Sequence, residues 1–117
     1  MARQVARISR TGGDPELEIR FGDANIGVCR IHRWRGGQES ERIEAGALGP
    51  AAELEGSRIS YEAIIQSPLT GGGQPYAMFL VIRQNGEIVA GGSVSETGDL
   101  NSDGAKSVSG LFSFELT

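Results

Sequence analysis

Glycine divides this sequence into short apolar segments, and that division constrains the fold more than any other feature. The chain has 18 glycines in 117 residues, more than twice the average share of about 7%. They recur between apolar segments instead of forming one flexible tract. Short apolar segments that end at turn signals are typical of many strands joined by turns.

The spacing of apolar residues predicts individual strands. Apolar and polar residues alternate strictly over residues 16–21 and 112–117, a period of two that gives a strand one buried and one solvent-facing side. Enrichment in β-branched and aromatic residues predicts four more strands. They are Gln4–Arg10, Asn25–Trp34, Arg58–Gln66 and Tyr76–Gln84.

Asn85-Gly86 predicts a β-hairpin between Met78–Gln84 and Glu87–Gly92. A type I′ turn needs positive φ at both central residues, which Asn-Gly adopts at the least cost. A two-residue turn that pairs Gln84 with Glu87 fixes the register behind it. The expected pairs are Ile82 with Val89, Val81 with Ala90, Leu80 with Gly91 and Phe79 with Gly92.

The segment Gly46–Gly56 is the one stretch expected to be helical, with Pro50 at its start and Gly56 at its end. It would have at most two turns. Together these patterns predict a single all-β domain over residues 1–117. We expect an antiparallel β-sandwich or small barrel of about eight short strands, with at most one short helix.

Charge and cysteine content limit the classes of partner and the compartment. A net charge of −4 argues against nucleic-acid binding, which needs many cations to neutralise phosphates. Residues 1–35 nevertheless carry +3 and residues 36–117 carry −7. We expect no membrane span and no signal peptide, and the lone Cys29 favours the cytoplasm. Ten arginines against the single Lys106 favour a GC-rich bacterial genome.

Few residues are available for catalysis, and we expect no enzyme. Cys29 and His32 lie three positions apart, so on a regular strand they point to opposite faces and cannot act as nucleophile and base. Only two Cys or His residues exist, too few for a structural zinc site within one chain. Carboxylates remain as candidates, because Glu16 with Glu18, and Glu39 with Glu41, share a face. The alternative for these pairs is the solvated face of an edge strand.

Residues 30–37 form the segment most typical of a binding site. On a strand, Arg30, His32 and Trp34 share one face, whereas Cys29, Ile31, Arg33 and Arg35 share the other. Guanidinium groups beside an indole bind anionic or planar ligands through bidentate hydrogen bonds and stacking. The predicted ligand-binding residues are therefore Arg30, His32, Arg33, Trp34 and Arg35. The alternative is a core Trp34 with arginines that pair with acidic residues.

Residues 99–104 match the opening of an oxygen-ligand calcium loop. Asp99, Asn101 and Asp103 occupy positions 1, 3 and 5, and Gly104 follows at position 6. Position 12 is Gly110 instead of a bidentate Glu, which limits any affinity for calcium. No other cofactor is expected. An Asx-turn loop between strands has the same composition.

The leading hypothesis for function is a non-catalytic binding or protein-interaction module. A carbohydrate-binding, lectin-like β domain, with calcium as a possible aid, is the second hypothesis, and a carboxylate-based hydrolase is the third. We also expect a homodimer, because both faces of the Asn85-Gly86 hairpin are apolar and a two-sheet sandwich covers only one. The Gly46–Gly56 segment is the alternative cover for the second face.

Overall fold

Two β-sheets packed face to face make up this protein, as seen in a computed structural model that describes residues 2–22, 25–37, 39–67 and 74–117. The described elements are β1 (Ala2–Ile8), β2 (Glu16–Phe21), β3 (Ile26–Arg35), β4 (Glu41–Ile43), β5 (Gly46–Ala47), a 3₁₀ turn (Ala51–Leu54), β6 (Ser57–Gln66), β7 (Pro75–Gln84), β8 (Glu87–Asp99) and β9 (Ala105–Leu116). The predicted all-β sandwich is confirmed. The short strands β4 and β5 were not predicted.

The strand order places the first strand, β1, beside the last strand, β9. One sheet has the order β1-β9-β6-β3-β4 and the other β5-β2-β7-β8. Every described strand pair is antiparallel except β1 with β9, which is parallel. The sequence patterns predict an antiparallel sandwich, so this parallel pair is a correction. A parallel pair needs a long connection, and here the two strands come from opposite ends of the chain.

Alternation along the strands places the core between the sheets. On β6, every second residue from Ser57 to Ile65 is buried and those between are exposed, apart from the half-buried Ser60. On β7, Tyr76, Met78, Leu80 and Ile82 are buried in the same way. Both inner faces contribute to one apolar cluster, as expected for an aligned sandwich.

The Asn85-Gly86 hairpin is confirmed, but its predicted register is wrong beyond Arg83. Asn85 and Gly86 have φ of 55° and 81°, and Gln84 pairs with Glu87. Farther from the turn, Val81 pairs with Ser93 and Leu80 with Val94, after a bulge in β8. The expected pairs of Ile82, Val81, Leu80 and Phe79 with residues 89–92 therefore do not form.

A close contact with β1 accounts for this bulge. Gly91 has φ of +72°, and a Cβ at this position would collide with the carbonyl oxygen of Val5. At the bulge β8 lies against β1, so the edges of the two sheets meet there.

The Gly46–Gly56 segment packs into the core instead of covering the outer face of the hairpin. It consists of β5 followed by one 3₁₀ turn, with Pro50 at the N-cap and Gly56 in the left-handed region at φ +76°. Leu48, Ala51 and Leu54 are buried in the core cluster. The alternative cover for the hairpin is therefore wrong.

The helical content is relevant to the prediction that no segment spans a membrane. Among the described residues the 3₁₀ turn of four residues is the longest helical element, and no described helix is long and apolar enough to cross a membrane.

Candidate functional site

β3 sets the positions of the predicted ligand-binding residues. It pairs with β6 in one unbroken register from Ile26 to Arg35, so its side chains alternate without a bulge. Ile31 is buried in the core, which places Arg30, His32 and Trp34 on the outer face of the five-stranded sheet. The predicted division of the segment into two faces therefore matches the structure, and the five residues do not share one face.

Arg33 lies on the inner side and is largely enclosed. Its side chain is 11% exposed, and its Nη2 donates to the carbonyl of Leu48 at 2.8 Å. Burial and the neighbouring Arg35 lower the pKa of its guanidinium. Glu41 lies 3.8 Å from Arg33 and 3.9 Å from Arg35. The hydrogen bond from Arg33 to Leu48 therefore connects β3 to the segment that follows β5.

Arginines from neighbouring strands extend the outer surface. We call the outer side of the five-stranded sheet the arginine face. It carries five arginines against two glutamates, since register places Arg42 beside His32, Arg58 beside Trp34 and Arg3 beside Leu111. The full charged set is Arg3, Arg7, Arg30, Arg42, Arg58, Glu62 and Glu115.

Among the described residues, most arginines of this face form no ion pair. Arg7 lies 3.6 Å from Glu115. Within the described part of the chain, the other four arginines of the face form no ion pair. Glu62 faces Arg30 across the sheet and offsets one charge. The arginine face is therefore a positive surface on a chain with a net charge of −4.

Trp34 is an exposed part of this face and is not a core residue. The residue is 39% exposed, and its indole Nε1 donates to the Ser60 hydroxyl at 2.9 Å. Ser60 pairs directly with His32, so the indole reaches from its own cross-strand pair to the neighbouring one. The hydrogen bond holds the indole in place while its surface remains accessible to a ligand.

An open groove crosses the arginine face beside Arg30. Its volume is about 430 Å³. Val28 and Ile64 pair across β3 and β6, and they are 64% and 52% exposed. Glu62, Ser107 and Ser109 complete the outer lining. The groove is therefore lined by apolar side chains together with polar and charged ones.

Cys29 and Tyr61 lie on the inner side of the same sheet. Burial raises the pKa of the Cys29 thiol to about 11. The Tyr61 hydroxyl donates to Glu96 at 3.5 Å, and burial together with Glu96 raises the pKa of Tyr61 to about 12. His32 lies on the opposite face from Cys29, as the sequence predicts. A thiol whose pKa is raised in this way is a poor nucleophile, because the thiolate is the reactive form.

Of the four carboxylates proposed for hydrolysis, Glu18 and Glu41 form ion pairs with arginines. Glu18 lies 2.9 Å from Arg20 and 3.1 Å from Arg83. Its hydrogen bond from Arg83 lowers the pKa of its carboxyl. Glu16 lies farther along the same outer face of β2, where it pairs with Arg83 in the register. A carboxyl group that acts as a general acid near neutral pH needs a raised pKa, whereas the pKa of Glu18 is lowered.

The predicted calcium loop connects the two sheets. Leu100 is buried, and its neighbours Asn101 and Asp103 are exposed. Asn101 N–H donates to the Ala105 carbonyl at 3.1 Å, and Ala105 N–H donates to Asp103 Oδ1 at 3.1 Å. The second bond is an Asx turn, the alternative that the composition also indicates.

The residues described in the structure hold no group of three or more His, Cys, Asp or Glu side chains placed to bind a metal ion. The chain matches no protein-family model, no curated protein and no solved structure.

Sequence reasoning missed the residues that come from other strands. Arg42, Arg58 and Arg3 join the face only through the pairing of β4, β6 and β1. Alternation along residues 57–66 could have assigned Arg58, Glu62 and Ile64 to the outer side. No local signal shows that β6 lies beside β3.

Proposed function

We propose that this protein is a non-catalytic binding module that recognises an anionic protein partner through the arginine face. The observation that supports this proposal most is that four arginines of this face form no ion pair with any residue the structure describes. Exposed arginine is suited to carboxylate recognition, because its planar fork donates two parallel hydrogen bonds. The exposed indole of Trp34 adds a stacking surface among these charges.

Poly-L-glutamate is a suitable probe, followed by fluorescence anisotropy of a labelled polymer. Arg58→Glu should weaken its binding about tenfold, since each reversal replaces attraction with repulsion. Raised salt should weaken binding too, because exposed charges are screened. Arg20→Glu is the matched control, since Arg20 is an exposed arginine on the outer face of the other sheet. Equal losses for both variants, or no binding by the unmodified protein at micromolar concentration, would contradict the proposal.

Carbohydrate binding is the second candidate, and the exposed Trp34 ring favours it. Sugar rings stack on indole surfaces, and Ser60 holds this indole by one hydrogen bond. A glycan array separates the two functions. Retention of neutral glycans by the native protein, lost in Trp34→Ala and unaffected by salt, would favour carbohydrate over an anionic partner.

We propose in addition that the protein forms a homodimer through the outer face of the four-stranded sheet. Phe79 and Ile88 are 40% and 47% exposed there. Around Phe79 lie Glu18 and Arg20, whose opposite charges allow the surface to face a copy of itself. Two-fold self-association is the common way to bury such a patch.

We also propose a cellular location, an origin and a metal site for this protein. A cytoplasmic location and a bacterial origin rest on Cys29 and the arginine content. Calcium binding at Asp99, Asn101 and Asp103 would be no tighter than high micromolar, because the twelfth ligand position is Gly110. A calorimetric titration with millimolar calcium tests it, and the absence of heat would refute it.

A further inference from the structure

Within the described residues, half of β3 forms an open sheet edge. β4 pairs with β3 only at residues Ile31 to Arg33. The chain then turns away at Gly46, with φ of +123°, and enters the other sheet. In the described ranges, no strand pairs with Ile26–Arg30 on the side opposite β6. Alternate residues of this segment therefore direct their N–H and C=O groups away from β6, to an edge that no described strand occupies.

The side chains along this edge are unusually apolar for an exposed strand. Ile26 is 57% and Val28 is 64% exposed. Natural sheet edges usually carry charges, prolines or bulges that prevent strand addition. The register of β3 with β6 contains no bulge, and the segment contains no proline. Its apolar part thus lacks the usual protection.

Charge identifies the partner that fits. Arg30 follows Val28 on the same outer face, and His32 and Arg42 lie beyond it. A second copy of the same edge, paired antiparallel around Val28, would place Arg30 opposite Ile26 and offer it no carboxylate. An acidic segment from another protein supplies that carboxylate.

We propose that β3 captures an extended acidic peptide as an added antiparallel strand along Ile26–Arg30. This inference rests on the proposed function and specifies its partner. In antiparallel pairing, the peptide residue opposite Arg30 comes first and those opposite Val28 and Ile26 follow at alternate positions. The recognised pattern is therefore acidic–x–apolar–x–apolar. Backbone hydrogen bonds provide affinity and alternate side chains provide selectivity, as in other strand-addition sites.

The probe is the synthetic peptide acetyl-Ser-Glu-Thr-Val-Thr-Val-Ser-amide, with fluorescence anisotropy as the readout. Its reversed sequence has the same composition and charge, and should bind about tenfold more weakly because its glutamate then faces Ile26. Two N-methylated peptides test the backbone hydrogen bonds: one carries methyl groups on its threonines, the other on its glutamate and valines. Only one of these two sets of N–H groups faces β3, so one of the two peptides should bind about tenfold more weakly.

Two variants locate the site. Val28→Asp should abolish detectable peptide binding, whereas Ile88→Asp should change it less than about twofold. Both residues are exposed apolar side chains in strands, on different sheets, so neither change opens the core. Amide hydrogen exchange supplies a second readout. Saturating peptide should slow alternate amides within Ile26–Arg30 by about tenfold.

The outcomes separate this inference from the proposed function. If polyglutamate binds as proposed but forward, reversed and N-methylated peptides bind within about twofold of one another, strand addition is wrong and the anionic-partner function stands. If neither polyglutamate nor any peptide binds, both fail. Protection of the same amides that increases with protein concentration without peptide would assign the edge to a second copy and overturn the inference.

Discussion

Gly110 lies directly opposite Tyr61 in the pairing of β9 with β6, and the Tyr61 ring fills the space that a side chain at Gly110 would occupy. Tyr61 is 1% exposed, and its ring centroid lies 6.3 Å from that of Phe112. The largest side chain in this part of the inner face thus depends on the absence of a Cβ across the ladder.

Gly110→Ala should therefore destabilise the protein by about 1–3 kcal/mol, as overpacking of a filled core does. Urea denaturation measures the change. Gly37→Ala is the matched control, because a Cβ there would meet no atom within 4 Å. Equal midpoints for the two variants would show that the Tyr61 ring moves aside at no cost.

Alkaline pH should weaken the folded state through Tyr61. Its pKa is raised from the ordinary 10 to about 12 in the fold, so the unfolded chain loses this proton first. The contribution of Tyr61 to the free energy of unfolding is therefore fully present below pH 10. It is lost as the pH rises toward 12, by about 1–2 kcal/mol. Tyr61→Phe should flatten that fall in urea midpoints measured from pH 9.5 to 12. An unchanged slope in the variant would refute the assignment.

Local sequence signals account for much of the fold. Strict alternation predicted the strand at 16–21, and Asn85-Gly86 predicted the turn between β7 and β8. The register behind that turn was wrong because the bulge in β8 depends on Gly91 lying against Val5, a contact between distant parts of the chain. Alternation also divided β3 into its two faces correctly, but the arginine face needed strand order, which no local pattern contains.

The contact at Gly91 can be tested against backbone strain alone. Gly91→Ala should cost about 2–4 kcal/mol, because it combines a left-handed conformation with a collision against the Val5 carbonyl. Gly36→Ala should cost about 1 kcal/mol, since Gly36 also has positive φ but has open space around it. Thermal or urea unfolding gives both values. A Gly91 variant no worse than the Gly36 variant would contradict the close approach of β8 to β1.

The homodimer prediction concerns mass in solution. Light scattering after size exclusion should give about twice 12.4 kDa for the native chain at micromolar concentration. Phe79→Ser should shift the protein toward the monomer, because it removes an exposed apolar side chain from the proposed contact. Val28→Ser, on the other sheet, should leave the mass unchanged. A monomer mass that stays constant on concentrating would refute the dimer.

Amide chemical-shift mapping by NMR, with the acidic peptide titrated into isotope-labelled protein, tests whether the arginine face is the binding surface. We expect the largest shifts on the arginine face, at the amides of Ile26–Arg30 in β3 and in the adjoining part of β6. They should diminish as salt is added. Shifts concentrated in β7 and β8, around Phe79 and Ile88, would contradict the assignment of the arginine face as the binding surface.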